Sequence, residues 1–234
     1  MRLIRSFRKR FAWLLWPTGY GVVRREGALF LVNLRNWAEK TLVTQGVFER
    51  PQLAYLVENI NRQRPEMFID IGANMGAYSV FVALRTDCKT IIAFEPDARS
   101  FDRMRANALL NGLSHTIKSH AVAVSASNGT VPFSYGPNSF DPVSKVGDGP
   151  NAATVPCVRL DDVVRVTGKQ IALKIDIEEH EGDALRGMTN LLTNNRCFIQ
   201  IECFDKNLAP VKAMLESLGY KLVHAIGHDR YFTN

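Results

Sequence analysis

Residues 68–76, Phe-Ile-Asp-Ile-Gly-Ala-Asn-Met-Gly, constrain the fold more than any other stretch: an apolar run ends in an acid, and two glycines four residues apart follow. Met67 to Ile71 has the length and apolarity of a buried strand, and Tyr78, Val82 and Leu84 suit the inner face of the helix after it. Gly72 can take positive φ and let a ligand approach the backbone. A helix starting near Gly76 offers unpaired N–H groups to a carboxylate or phosphate. The pattern reads as a nucleotide-cofactor turn, with Asp70 meeting the ligand's polar end and Ala73 and Asn74 on the turn itself.

A second strand, Thr90 to Phe94, ends in Glu95-Pro96-Asp97, and Glu95 falls nineteen residues after Gly76. An acid there can accept two hydrogen bonds from a ribose diol. The turn reads Asp-x-Gly-x-x-x-Gly, without the close Gly-x-Gly pair and third glycine that pack a pyrophosphate against a helix. S-adenosyl-L-methionine therefore fits better than NAD.

From Met67 onward, strands at 67–71, 90–94, 117–124, 171–176 and 197–202 are predicted to alternate with helices at 76–84, 98–110, 181–192 and 207–217. Such alternation gives a parallel sheet with helices on both faces. Residues 221–225 and 230–232 form a closing hairpin across Gly227-His228-Asp229. Ahead of the sheet, 22–24 and 29–32 form another hairpin, and a helix covers 52–62 after Pro51. Short strands at 130–135 and 154–158 flank a stretch rich in Gly, Pro, Asn, Ser and Asp, which reads either as plain surface disorder or as a lid or binding loop with Phe140 as its apolar substrate contact.

The segments around Asp70 and Glu95 are joined by three others: Gly46-Val47-Phe48-Glu49, Asn107 to Asn111, and Lys174-Ile175-Asp176-Ile177-Glu178-Glu179-His180-Glu181 with Leu185-Arg186-Gly187. In order and spacing, over roughly residues 40 to 205, they resemble the FkbM-type S-adenosylmethionine-dependent O-methyltransferases. The resemblance implies an α/β, Rossmann-like class I methyltransferase fold: a mostly parallel seven-stranded sheet with helices on both faces and an antiparallel last strand. It also implies methylation of a hydroxyl, of a cell-surface glycan or glycolipid sugar or of a polyketide or other secondary metabolite. One departure is Glu179, where the family usually has glycine in an Asp-x-Glu-Gly-x-Glu pattern. That exchange keeps open a reading of another class, a non-catalytic membrane-associated protein that retains the cofactor fold.

The acidic turn after the strand ending at Ile175 should face the transferred methyl, because ligands of open α/β sheets bind beyond the carboxyl ends of strands. Methyl transfer needs a hydroxyl held in line and a group to take its proton. His180 is read as that base, with Asp176 and Glu178 beside it to hold its tautomer or raise its pKa. A helix start whose acids merely satisfy the helix dipole is the plain alternative. Asp176 also joins the cofactor set of Asp70, Gly72, Ala73, Asn74, Gly76 and Glu95, while Glu181 and Glu202 join Phe140 as substrate contacts. Asp176, Glu178 and Glu202 are oxygen ligands that could share a divalent ion, but their spacing is not decisive and no metal is assigned.

A chain of 234 residues, 46% apolar and 22% charged, suits one α/β domain, here 67–234, preceded by a hairpin-and-helix cover over 17–66. Cys88, Cys157, Cys197 and Cys203 show no Cys-x-x-Cys pair and read as reduced core thiols of a cytoplasmic protein. Residues 1–16 carry Arg2, Arg5, Arg8, Lys9 and Arg10 without an acid, with apolar residues at helical spacing up to Pro17. This basic amphipathic helix has two readings: attachment to an anionic inner membrane face, or packing on the domain or on a second subunit of a homo-oligomer. The arm supplies much of the net charge of +6, so that charge does not argue for nucleic acid. The partner expected is a carbohydrate or small-molecule hydroxyl acceptor.

Overall fold

The computed structural model describes residues 15–44, 46, 49–135, 144–149 and 152–234. The basic arm up to residue 14 and Phe140 lie outside them. The chain runs β1 (Tyr20–Arg25), β2 (Ala28–Asn33), α1 (Trp37–Thr44), α2 (Arg50–Gln63), β3 (Met67–Ile71), α3 (Ala77–Arg85), β4 (Ile91–Phe94), α4 (Ala98–Leu110) and β5 (Ile117–His120). It continues through β6 (Ala123–Val124), β7 (Gly129–Ser134), β8 (Lys145–Val146), β9 (Ala152–Val158), α5 (Leu160–Val163) and β10 (Gln170–Ile175). It ends with α6 (Glu181–Arg186), α7 (Thr189–Asn194), β11 (Arg196–Glu202), α8 (Asp205–Ser217), β12 (Lys221–Ile226) and β13 (Asp229–Thr233).

Seven strands make the central sheet in the order β12-β13-β11-β10-β3-β4-β5. β11, β10, β3, β4 and β5 are parallel, and the last strand, β13, runs antiparallel to both its neighbours. Period-two alternation splits the core between the two faces. Phe68, Ile91, Ala172 and Phe198 pack under α2, α3 and the β1–β2 hairpin, while Ile69, Ile71, Leu173 and Ile199 pack under α5 to α8. Burying a side chain of this size stabilises by roughly 1.5–3 kcal/mol.

The hairpin face carries a polar row at the site end, set by register: Lys174 pairs with Asp70 on one side and Gln200 on the other. All three are buried. The hairpin's own edge is closed by side chains of α4, not by a strand. Asn107 Oδ1 accepts the Leu31 N–H, and Asn111 both accepts from Leu29 N–H and donates to Leu29 O. This one-helical-turn Asn pair thus acts as a stand-in for a neighbouring strand.

Three local expectations give way. The strand expected over 117–124 divides, because its neighbour β4 ends at Phe94 and Pro96 has no N–H to extend the ladder. Ala123 and Val124 pair instead with β9, in a separate small sheet of order β6-β9-β7-β8. The helix expected over 181–192 breaks at Gly187, where a Cβ would lie 1.9 Å from the Ser125 carbonyl oxygen, so the backbones touch. Leu84 faces outward, and Val80, Phe81 and Val82 carry the inner face of α3. All four cysteines are free and buried. No helix among the described residues is long and apolar enough to cross a membrane.

Candidate active site

A cavity of about 420 Å³ opens at the carboxyl ends of the parallel strands. Its wall includes Gly72 and Asn74 after β3, Glu95 after β4, Asp176, Glu178 and His180 after β10, and Glu202 at the end of β11. The strand-end rule thus brings together most of the residues read from sequence.

The glycine turn has a steric cause. Gly72 sits at φ +78, and a Cβ there would lie 1.8 Å from the Asp176 carbonyl oxygen, so β3 and β10 meet at bare backbone. Gly76, at φ +79, faces Met104 of α4, 2.8 Å from where its Cβ would be; its role is packing, and it is absent from the cavity wall. Asn74 takes φ +51 between them. Glu95 supports this loop: one carboxylate oxygen accepts the Asn74 N–H and the other the Asp97 N–H, both at 2.8 Å. Burial pushes its carboxyl up to about 7 against those stabilising N–H groups.

Asp70 is displaced from its expected place at the ligand's polar end. It is fully buried beneath the turn, where Oδ2 accepts the Ser79 N–H and hydroxyl, and it borders a smaller cavity of about 110 Å³ with Ala73, Glu49, Tyr78, Lys174 and Asp176. Its side chain belongs to the inward half of β3's alternation, one layer below the main cavity. Lys174 Nζ lies 2.7 Å from Asp176 Oδ2 and 4.5 Å from the centre of the Tyr78 ring. Burial opposes the ammonium charge, yet Asp176, Glu49 and Asp70 outweigh it and keep Lys174 protonated.

Beyond the turn, Asp176, Glu178 and Glu202 each offer an oxygen within 4.8 Å of the others. Burial alone would raise Asp176, but Lys174 beside it holds the carboxyl below its usual range. Glu202, half-buried and hydrogen-bonded to that carboxylate, is pushed up to about 9 by desolvation and by the Asp176 charge. The two carboxyl groups are close enough to share a proton. Burial also raises Glu178, with Asp176 and Glu181 adding repulsion, and no hydrogen bond from the described residues reaches its carboxylate.

His180 lines the cavity with both ring nitrogens engaged. Nε2 lies 3.0 Å from Ser125 Oγ and Nδ1 lies 3.5 Å from Asp183 Oδ2. Of the two roles expected for the neighbouring acids, holding the tautomer or raising the pKa, the second does not prevail: burial lowers the pKa, and Asp183 only partly opposes this. Glu181 is not a cavity residue. It is buried and its carboxylate accepts the Glu179 N–H at 2.8 Å, closing the turn from behind.

Several wall residues carry no chemical signal in the sequence. Tyr20, Asn33 and Asn36 come from the hairpin and the turn after it, and Ser100 and Arg103 from the first turns of α4. Arg103 is held by a buried ion pair with Glu39 at 3.0 Å. Helical spacing from the cap Asp97 would have found Ser100 and Arg103 once α4 was known to end the cavity. Lys145 of β8 also lines the cavity.

The sheet order, the antiparallel last strand and a cavity across the strand ends define a class I methyltransferase fold. Residues 70–222, more than half of the chain, match the Methyltransferase FkbM domain, and the protein belongs to the FkbM methyltransferase family. It is 26% identical over 132 residues to the hexuronic acid methyltransferase AglP of Haloferax volcanii, covering 56% of this chain and 53% of that protein. It is 29% identical over 162 residues to the methyltransferase sdnD of Sordaria araneosa, covering 66% of this chain and 60% of that protein. The chain thus spans little more than half the length of these relatives. Among solved structures, a precorrin-6y C5,15-methyltransferase from Geobacter metallireducens GS-15 aligns with a TM-score of 0.49 at 12% identity, covering 80% of this chain and 87% of that one.

S-adenosylmethionine is the cofactor that goes with this family and fold. The residues present fit it. Asn74 Oδ1, a buried oxygen of a residue on the cavity wall, accepts no hydrogen bond among the described residues and so can accept one from a ligand. Glu95 presents a second lone pair on each oxygen to the same cavity.

Proposed function

We propose that the protein is an S-adenosylmethionine-dependent O-methyltransferase acting on a hydroxyl of a sugar in a glycan or glycolipid. The observation that carries this reading is the arrangement of carboxyl groups in one cavity: Glu95, which supports the loop at Asn74, and Asp176, Glu178 and Glu202, whose oxygens lie within 4.8 Å of one another. The bound cofactor supplies an electrophilic methyl group. The chain's part is to hold a hydroxyl and take its proton.

Glu178 is the proton acceptor in this proposal. Asp176 is tied to Lys174 and to Glu202, and the His180 ring is held between Ser125 and Asp183, whereas the Glu178 carboxylate is unengaged and raised in pKa. A raised pKa makes a carboxylate a stronger base near neutral pH. The Glu202–Asp176 pair offers one donor and several acceptor sites to neighbouring hydroxyls, which suits a polyol. His180 ties the acidic turn to Ser125, at the start of the small sheet's connection. The basic arm, residues 1–16, holds the enzyme at an anionic membrane surface where a lipid-linked glycan would be met.

Methyl transfer to a panel of glycosides, followed by mass spectrometry, tests the activity. Glu178→Gln should lower the rate by about 10²–10⁴ with S-adenosylhomocysteine affinity unchanged. His180→Ala should affect the rate less, through positioning. A near-normal rate in Glu178→Gln together with a 10³-scale loss in His180→Ala would return the base to His180.

A further inference from the structure

The backbone at the cavity mouth is strained in an informative way. Glu178 and Glu179 are consecutive non-glycine residues at positive φ, +49 and +80. Glycine would suit the second position without cost. Glu179 instead reaches two lysines from different elements: Lys206 of α8, with Nζ 2.6 Å from Oε1, and Lys145 of β8, with Nζ 3.5 Å from Oε2. Lys145 lines the cavity and Glu179 does not.

That difference bears on what the cavity can hold. Its wall around the acidic turn brings three carboxyl groups, Asp176, Glu178 and Glu202, together with Ile177 and His180. Arg99 and Arg103, the arginines on the wall, belong to α4 beyond β4 and are engaged with Asp97 and Glu39, and the His180 imidazole lies between Ser125 and Asp183. Lys145 is therefore the lining cation placed to meet an anionic group on an acceptor at the acidic end. An incoming carboxylate would have to take Lys145 from Glu179 and then sit among three further carboxyl groups. Specificity arises as much from such repulsion as from favourable contacts.

We propose that Glu179 is a specificity-determining residue: by holding Lys145 it withholds that ammonium from the acceptor, so the cavity takes a neutral, hydroxyl-rich sugar and rejects a uronate. This rests on the reading of the cavity as a methyl-transfer site. A carboxylate that binds Lys145 from outside the cavity sets its charge selectivity, although Glu179 touches neither cofactor nor acceptor.

The test compares wild type, Glu179→Gly and the double variant Glu179→Gly with Lys145→Ala, each given S-adenosylmethionine and matched pairs of neutral and uronate methyl glycosides. Ligand-observed NMR on the S-adenosylhomocysteine complexes gives sugar binding separately from turnover. Wild type should favour the neutral sugar. Glu179→Gly should fold, since glycine suits φ +80, and should raise the uronate-to-neutral ratio of kcat/KM by about tenfold, the scale of one new charge-assisted contact. The double variant should lose that gain. An unchanged ratio in Glu179→Gly, a gain that survives the loss of Lys145, or a wild type that already prefers the uronate would each overturn the inference. If wild type binds S-adenosylhomocysteine but neither binds nor methylates any sugar of the panel, the sugar-acceptor reading falls, and this inference with it.

Discussion

Cofactor affinity should depend on pH through a single carboxyl, Glu95. Burial pushes it up to about 7, although its two oxygens accept the N–H groups of Asn74 and Asp97. A ribose diol donates two hydrogen bonds, so only the ionised carboxylate serves both hydroxyls. With a pKa near 7, the competent form makes up about a tenth of the molecules at pH 6 and about nine tenths at pH 8, so the apparent dissociation constant should fall roughly tenfold, about 1.4 kcal/mol, between them. The sign is fixed by the raised pKa: the cofactor-free folded protein keeps a proton that the unfolded chain, near 4.5, gives up. Stability without cofactor therefore declines as pH rises from about 4.5 to 7, and cofactor binding across that window releases the proton. Calorimetric titration with S-adenosylhomocysteine at the two pH values, in buffers of different ionisation enthalpy, reads both the affinity and the proton. Glu95→Gln should bind about 1–3 kcal/mol more weakly at pH 8 and lose the pH dependence. A wild-type affinity flat from pH 6 to 8, or a slope that persists in Glu95→Gln, would refute the assignment.

Gly72→Ala places a methyl 1.8 Å from the Asp176 carbonyl at φ +78, and should cost about 2–6 kcal/mol in denaturant unfolding, with cofactor binding lost in whatever folds. Removing residues 1–14 while keeping Trp16, whose ring fills the space above Gly21, should abolish sedimentation with anionic vesicles and leave S-adenosylhomocysteine affinity unchanged; retained vesicle binding would take the membrane role away from the arm.

The sheet was legible because its signals are local: apolar runs of five or six residues, each closed by an acid or a turn, alternating with helical spacing. Asp70 shows where that legibility stops. As a strand-end acid it reads like a ligand contact, but whether such a side chain reaches the cavity or lies beneath it depends on its place in the pleat and on what pairs across the sheet, here Lys174. Glu181 fails in the same way, since it closes its own turn through the Glu179 N–H. Tyr20, Asn33 and Asn36 could not be read at all. They reach the site because Asn107 and Asn111 hold the hairpin against α4, a contact across more than seventy residues with no periodic trace.

The residues that break local rules gather at the same place. Among the described residues six that are not glycine take positive φ, and two have ordinary local reasons: Glu26 in the hairpin turn and Arg64 at the end of α2. The other four are Glu49, Asn74, Glu178 and Glu179. The first three line the cavity, and the fourth holds its lysine. Each such conformation costs of order 1–3 kcal/mol and persists only where surrounding contacts over-determine it. Those contacts are visible: the Tyr78 hydroxyl on Glu49, the Glu95 carboxylate on the Asn74 N–H, and Glu181 on the Glu179 N–H. A tyrosine and two acids thus hold three strained turns around one space. A fold selected for stability alone would have put glycine at these turns or relaxed them, and their concentration around the strand ends is an argument for function there that does not depend on any relative.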